Sequence, residues 1–177
     1  EGSGSEQTVG LRTGLADILR KYEIQTMLDL PCGDFAWMKA VDYQFDHYMG
    51  GDIVDSIIEK NIRFYSTPTR EFRVMNLIGD SLPKADLVFC RDCLVHLSLS
   101  DALQGIRNIR GSGARYLMAT TFPECDHNED IITGDWRVLN LEIAPFYLGT
   151  PIELLNEGCT EGEGTYSDKS LGLWLLQ

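Results

Sequence analysis

The strongest constraint on the fold is an alternation. Between Thr26 and Phe122, five short apolar stretches are separated by segments, most of them long enough for a helix. The first, Thr26 to Leu30, reads as a short buried strand ended by Pro31. His47 to Ile53 is the second strand, Glu71 to Leu77 the third, Ala85 to Arg91 the fourth and Ala114 to Phe122 the fifth. The fourth is nearly all apolar, as a strand buried on both faces requires. Helical stripes flank them. Leu11, Leu15, Ile18, Leu19 and Tyr22 recur at helical spacing, and so do Val54, Ile57, Ile58, Ile62 and Tyr65. A third stripe carries Leu103, Ile106 and Ile109, with Ser100 as its expected cap and Gly111 just past its end. A short helix is expected over Phe35 to Val41. This order predicts an α/β chain with a parallel sheet and right-handed crossovers.

Beyond Phe122 the pattern changes. Phe122 to Thr150 lacks periodicity and contains Pro123, Gly134, Pro145 and Gly149. A long irregular segment in a compact domain is usually functional or mobile. Pro151 to Asn156 and Lys169 to Leu176 read as two more strands, joined by a Gly-rich acidic loop. The whole, 177 residues, is read as one domain. Residues 1–25 are its N-terminal helix region, 26–122 its ligand-binding core, and 123–177 a long loop with a C-terminal strand pair. The opening Gly2-Ser3-Gly4-Ser5 suits either an added linker or a natural loop.

Charge and cysteine content exclude several classes. The net charge is −12, so phosphate backbones are repelled and a nucleic-acid partner is disfavoured. No apolar run approaches the ~18 residues of a membrane span. Together with the absence of a secretory pattern, this leads to an expected cytoplasmic location. Cys32, Cys90, Cys93, Cys125 and Cys159 are odd in number and dispersed, which does not make a disulfide framework. Cys90 and Cys93, with His96, have a spacing that can mark zinc or redox chemistry. No second cysteine pair supports it, and Cys90 ends a buried strand, so no metal is expected. Nothing in the pattern selects an oligomeric state.

The most informative segment is Leu28-Asp29-Leu30-Pro31-Cys32-Gly33-Asp34-Phe35-Ala36-Trp37. It leaves the first strand, and open α/β sheets bind ligands outside the carboxyl ends of their strands. Gly33 lets the backbone approach a ligand closely. Asp52 ends the second strand about 20 residues on, where a carboxylate accepts hydrogen bonds from ribose hydroxyls. These features imply a nucleoside-containing cofactor. The dinucleotide fingerprint and the phosphate-binding loop with its lysine are both absent. An anionic loop suits a phosphate-free cofactor that carries an ammonium and a sulfonium.

On these residues the chain resembles the class I S-adenosylmethionine-dependent methyltransferases. Leu28 to Gly33 looks like their first motif, with Pro31 and Phe35 where the outer two glycines usually stand. Gly50-Gly51-Asp52-Ile53 looks like the second, Met75-Asn76-Leu77 the third, and Asp86 to Leu97 the fourth. The strings around Cys32 and Cys90, and the tail with Trp136 and Cys159, are similar to a bacterial subgroup of that family. The resemblance implies a Rossmann-like three-layer sandwich with a seven-stranded, mostly parallel sheet and an antiparallel last strand. It implies S-adenosylmethionine as cofactor. Asp29, Pro31, Cys32, Gly33 and Asp34 would face its methionyl part and Asp52 its ribose. Ile53 and Leu77 would sandwich adenine, and Asn76 would read the amino edge. Arg91 would meet the cofactor carboxylate bidentately.

The implied activity is methyl transfer to oxygen or nitrogen of a small-molecule acceptor, for which the acidic charge fits sugar-linked or amino-bearing compounds. Asp92 and His96 follow the fourth strand and are the candidates for assisting the acceptor, a histidine being suited to base catalysis at neutral pH. In this family the last two strands form an antiparallel pair, so Pro151 to Asn156 would run parallel to the others. The loop Glu157 to Asp168 would then emerge on the carboxyl-end face beside the long segment. Asp135, Trp136, Glu161 and Tyr166 are the candidate acceptor contacts. The acidic run Glu157 to Glu163 otherwise reads as a solvated loop, and Trp174 as core. Two rival classes stand beside this reading: a binding module or pseudoenzyme that holds the cofactor without transferring a methyl group, and a different nucleotide-dependent Rossmann enzyme.

Overall fold

The structure, a computed structural model, describes residues 8–176. The Gly2 to Ser5 stretch lies outside the described residues. Three helices and seven strands follow in the order α1 (Thr8–Lys21), β1 (Thr26–Asp29), β2 (His47–Asp52), α2 (Asp55–Tyr65), β3 (Arg70–Val74), β4 (Leu87–Cys90), α3 (Leu99–Gly111), β5 (Tyr116–Thr121), β6 (Glu153–Asn156) and β7 (Ser170–Leu175). All seven strands form one sheet in the order β3-β2-β1-β4-β5-β7-β6. β3 through β5 are parallel, and β7 runs antiparallel to both β5 and β6. β6 therefore points the same way as β1, and the loop after it opens on the carboxyl-end face.

Packing follows from the apolar pattern. Every residue of β4 and β5 is buried. Leu11, Leu15 and Leu19 of α1 join Ile58 of α2 and Leu87 and Phe89 of the sheet in one core. Ala102, Ile106 and Ile109 of α3 cover the opposite face, with Leu139, Leu141 and Phe146 from the long segment beside them. Helices on both faces of a mostly parallel sheet make the three layers.

Several local expectations shift. The cap of α3 is Ser98, whose hydroxyl accepts the Asp101 N–H; the helix starts at Leu99, so Ser100 lies inside it. Gly111 is the last helical residue, and the left-handed turn falls on Gly113 at φ +76°. Phe35 to Val41 is not a continuous helix. Phe35 is at φ +61°, which an α-helix cannot include, and only Met38–Ala40 make a 3-10 turn. The third strand stops at Val74, so Met75 to Leu77 leave the sheet.

The segment after β5 has no helix or strand before β6, yet it is pinned. The buried Arg137 guanidinium donates to the carbonyls of Glu129, Leu94 and Leu97 at 3.0, 3.0 and 2.8 Å. Asn140 donates to the Pro123 and Cys125 carbonyls, and Asn128 to those of Asn140 and Ala144. Side-chain amides and a guanidinium here replace the ladder that secondary structure would provide.

Candidate active site

The loop after β1 crosses the ends of its neighbours. Leu30 N–H donates to the Phe89 carbonyl at 2.9 Å, and Cys32 N–H to that of Gly51 at 2.7 Å. Gly33, at φ +52°, turns its N–H onto Asp52 Oδ2 at 3.1 Å. Asp52 Oδ1 accepts the Val54 N–H at 3.0 Å. Asp52 thus closes the loop against the end of β2, and Asn61 of α2 fastens it from behind by donating to the Gly33 carbonyl at 2.7 Å. Phe35 has a left-handed backbone at φ +61°.

Asp29 ends β1 with only 3% of its surface exposed. Tyr48 Oη donates to it at 2.5 Å. Burial pushes its carboxyl up to about 7, against the opposing pull of the Tyr48 bond and of Arg91. A cation arriving at this carboxylate would restore its ionised form. The buried Cys32 thiol is pushed up by burial and by Asp29 and Asp52, so it acts as an inert apolar group. Asp34 is exposed and accepts the Ala36 N–H at 2.9 Å.

Beside this loop lies a cavity of about 410 Å³ lined by Pro31, Ile53, Asn76, Leu77, Cys93 and His96, among others. Ile53 is 63% exposed, an apolar side chain held at the edge of a slot rather than in the core. Asn76 Oδ1 accepts the Ile78 N–H at 2.9 Å and keeps a second lone pair. The structure gathers Ile53, Asn76 and Leu77 around one apolar slot and places Pro31 there too, apart from the methionyl group that the resemblance implies for it.

Past β4 the chemistry is ionic. Arg91 is buried and donates through Nε and Nη2 to Glu157, the Nη2 bond being 2.7 Å. Its guanidinium also lies 5.1 Å over the Trp37 ring. Asp92, at φ +52°, holds Lys169 Nζ at 2.8 Å, and its N–H is fixed by Thr120 Oγ1 at 2.8 Å. Lys169 is in turn 3.8 Å from Glu157. The Glu157 side chain is 5% exposed, so the acidic loop is not wholly solvated as its composition suggests. Glu157 and Lys169 escape sequence reading because each is one charged residue in an unremarkable context.

The two catalytic candidates separate. Asp92 belongs to the ionic cluster with Lys169, the residue before β7. His96 lines the slot with Ile53 and Leu77, and its Nδ1 lies 2.9 Å from the Asp135 carbonyl. Of the acceptor candidates, Trp136 and Tyr166 meet edge-to-face at 5.0 Å, each 6.2 Å from Phe122. They line a second cavity of about 530 Å³ with Glu124, Arg137 and Asp168. Asp135 contributes its backbone carbonyl to His96 while its side chain is exposed, and Glu161 is exposed on a 3-10 turn. Among the described residues no cluster of three or more metal-ligating side chains occurs.

No protein-family model and no curated protein matches the chain. Solved structures do match. The methyltransferase domain of bacterial CtHen1 superposes with a TM-score of 0.70 at 13% identity, covering 96% of this chain and 97% of that one. Human N-acetylserotonin methyltransferase, solved with S-adenosylmethionine, gives 0.68 at 14% identity, covering 94% of this chain. The chain has the class I methyltransferase fold. It spans about half of the human chain, 51%. The same fold also carries the [4+2]-cyclase SpnF, which matches with a TM-score of 0.57 at 15% identity over 80% of this chain and 57% of that one. Within the class I methyltransferase fold, then, the reaction has to be argued from the site.

Proposed function

We propose that the chain is an S-adenosylmethionine-dependent methyltransferase acting on oxygen or nitrogen of a small molecule. The observation that carries this is the sequence of environments along one loop. A buried carboxylate at Asp29 suits the cofactor's ammonium. Asp52 stands where the ribose hydroxyls would lie. The slot between Ile53 and Leu77 suits adenine, with Asn76 at its edge. When bound, this cofactor supplies an activated methyl group. The neighbours solved with S-adenosylmethionine or its demethylated product, such as human N-acetylserotonin methyltransferase and PigF, support the reading.

The acceptor would enter between the ionic cluster and the Phe122, Trp136 and Tyr166 rings. Holding it in line with the methyl group removes much of the entropic barrier. A hydroxyl or ammonium acceptor also has to lose a proton, and a positioned base contributes about 10²–10⁴-fold. Asp92 is the better candidate for that base, because it faces the acceptor side and Lys169 orients its carboxylate. His96 faces the adenine slot and is assigned a binding role there. The aromatic rings and surrounding acids favour a flat or amino-bearing acceptor. The free thiols support a reducing, cytoplasmic setting.

A second reading is a cofactor-binding protein without methyl transfer, favoured by the engagement of Asp92 with Lys169 and by the cyclase that shares the fold. Calorimetry tests the common ground: S-adenosylhomocysteine should bind and raise the melting temperature, and NAD should not. Tight NAD binding with no S-adenosylhomocysteine binding would overturn the assignment. A metabolite screen for labelled methyl incorporation separates the two readings. Asp92→Asn should then lower turnover at saturating cofactor while His96→Gln changes cofactor affinity.

A further inference from the structure

Behind the cofactor loop lies another cavity, of about 390 Å³, whose lining includes Phe35, Lys39, Phe45, Tyr48, Thr69 and Arg70. It shares no lining residue with the adenine slot or with the aromatic pocket. Its charge is unusual for this protein. The chain carries −12, yet the cavity lining holds two cations, Lys39 and Arg70, and no carboxylate. Neither cation is paired with an acid among the described residues. Lys39 Nζ meets only the Tyr65 hydroxyl at 3.5 Å and the face of its ring. Glu71, next to Arg70 in sequence, is engaged by Arg73 at 2.9 Å and His47 at 3.0 Å.

Arg70 is the decisive group. Its Nε is buried and has no hydrogen-bond partner. A buried donor left unsatisfied is costly, so a group like this points to a missing acceptor. The guanidinium is held in place by the Phe35 ring, 4.9 Å from its centroid. Its orientation is therefore set before anything binds. The Phe35 ring packs on Tyr48 with centroids 5.2 Å apart, and Tyr48 on Phe45 at 5.8 Å. The phenols of Tyr43 and Tyr48 turn away to the Ile24 carbonyl and to Asp29; Phe35 and Tyr48 are buried, and the half-buried rings of Tyr43 and Phe45 offer the apolar surface.

We infer that this cavity is a second small-molecule site, for a ligand with one flat apolar ring and one carboxylate or phosphate. The anion would accept two parallel bonds from the Arg70 guanidinium, including Nε–H, in the fork geometry that arginine offers. Lys39 would add a point charge at the mouth. The ring would lie against Tyr43 and Phe45, the half-buried rings of the lining, where offset or edge contacts are favoured. The volume falls in the range of small-ligand pockets. The site is separate from methyl transfer, and its test does not depend on that activity.

The experiment titrates the full chain with phenyl phosphate and with 4-hydroxyphenylacetate into the millimolar range, and with uncharged benzyl alcohol as control. The readout is the arginine Nε–H region of a proton–nitrogen correlation spectrum, in which the Arg70 signal is identified by its loss in Arg70→Met. A saturable shift of that signal with one or both anions, and none with benzyl alcohol, is expected. The phosphate and carboxylate arms distinguish which anion the site prefers. Arg70→Met should weaken binding by about tenfold or more, and Lys39→Met by a smaller factor, with unchanged circular dichroism in both. The inference fails if no saturable shift appears, if benzyl alcohol binds equally well, or if folded Arg70→Met binds the anions as the wild type does.

Discussion

The two sides of the carboxyl-end face are built on different principles. On the proposed cofactor side, Asp29 and Asp52 end strands and Asp52 is held by backbone. Asp52 is fixed by the Gly33 and Val54 N–H groups, and Ile53 is carried out to the slot by β2 itself. On the acceptor side, charges hold charges across long sequence distances. Arg91 meets Glu157 66 residues away, and Lys169 meets Asp92 77 residues away. The first arrangement presents groups to a ligand. The second pairs four charges across the fold, the proposed base Asp92 among them, and ties both ends of the loop between β6 and β7. Carboxylates near the same crevice therefore need not have the same task.

The largest expected effect tests this directly. Glu157→Ala should destabilise the fold by about 3–5 kcal/mol, because it removes the carboxylate to which the buried Arg91 donates through Nε and Nη2. Replacing both partners, Arg91→Met with Glu157→Leu, should recover much of that loss. Urea unfolding checks both. If Glu157→Ala unfolds like the wild type but loses turnover, the ionic cluster is a binding device and the contrast collapses.

Asp29 supplies the next. Its carboxyl rises from the ordinary 3.8 to about 7 in the folded protein. Between those values the folded state holds a proton that the unfolded chain has released. Stability should therefore fall as pH rises from about 4 to about 7 and level off above. The loss is at most about 1.4 kcal/mol for each tenfold drop in proton concentration. Asp29→Asn should remove most of that slope in unfolding experiments across the window. The affinity for S-adenosylhomocysteine should run the other way, strengthening toward pH 8 as the carboxylate ionises to meet the ammonium. A pH-independent affinity that survives Asp29→Asn would take Asp29 out of the site.

How much of this was readable in advance follows the same division. Asp29, Asp52 and Ile53 could be located because a strand end is a local feature: the apolar run stops and the next residues face the crevice. The antiparallel β7 agrees with what the resemblance implies. Glu157 and Lys169 could not be paired with Arg91 and Asp92, since nothing near them in sequence marks the contact. Phe35 misled the local reading because its apolar neighbours resemble a helix face while its backbone is left-handed. Met75 to Leu77 extended the apparent third strand because apolar residues that line a slot look like those that fill a core.

Asp52→Ala should weaken S-adenosylhomocysteine binding by about 1.5–3 kcal/mol, roughly tenfold or more, from the loss of charge-assisted hydrogen bonds. The structure adds a reason: the same carboxylate ties down Gly33. Asp52→Asn should therefore fall between the wild type and Asp52→Ala, since its amide oxygen can still accept one backbone N–H. Calorimetric titration of the three proteins checks the order. Equal affinities would show that the loop and the ribose position do not depend on this side chain, and the cofactor side would lose the feature that sets it apart.

The smallest effect lies at the seam between the two sides, where the long segment after β5 meets the start of α3. Four backbone N–H groups at a helix start lack intrahelical partners. Here Ser98 Oγ accepts that of Asp101 at 3.1 Å, and Asp130 Oδ1 accepts that of Leu99 at 2.7 Å. Thr133 Oγ1 accepts the Ser98 N–H at 2.9 Å and donates to Asp101 at 2.5 Å. The cap is thus shared between the helix and the long segment. Ser98→Ala should cost about 1 kcal/mol, the usual value for removing a serine cap. Ser100→Ala should cost less, because its hydroxyl meets only Ser98 Oγ at 3.0 Å. Thermal unfolding of both variants decides between Ser98 and Ser100. If Ser100→Ala is the more damaging, the helix begins later than Leu99, and the ties from Asp130 and Thr133 do not hold the long segment to α3.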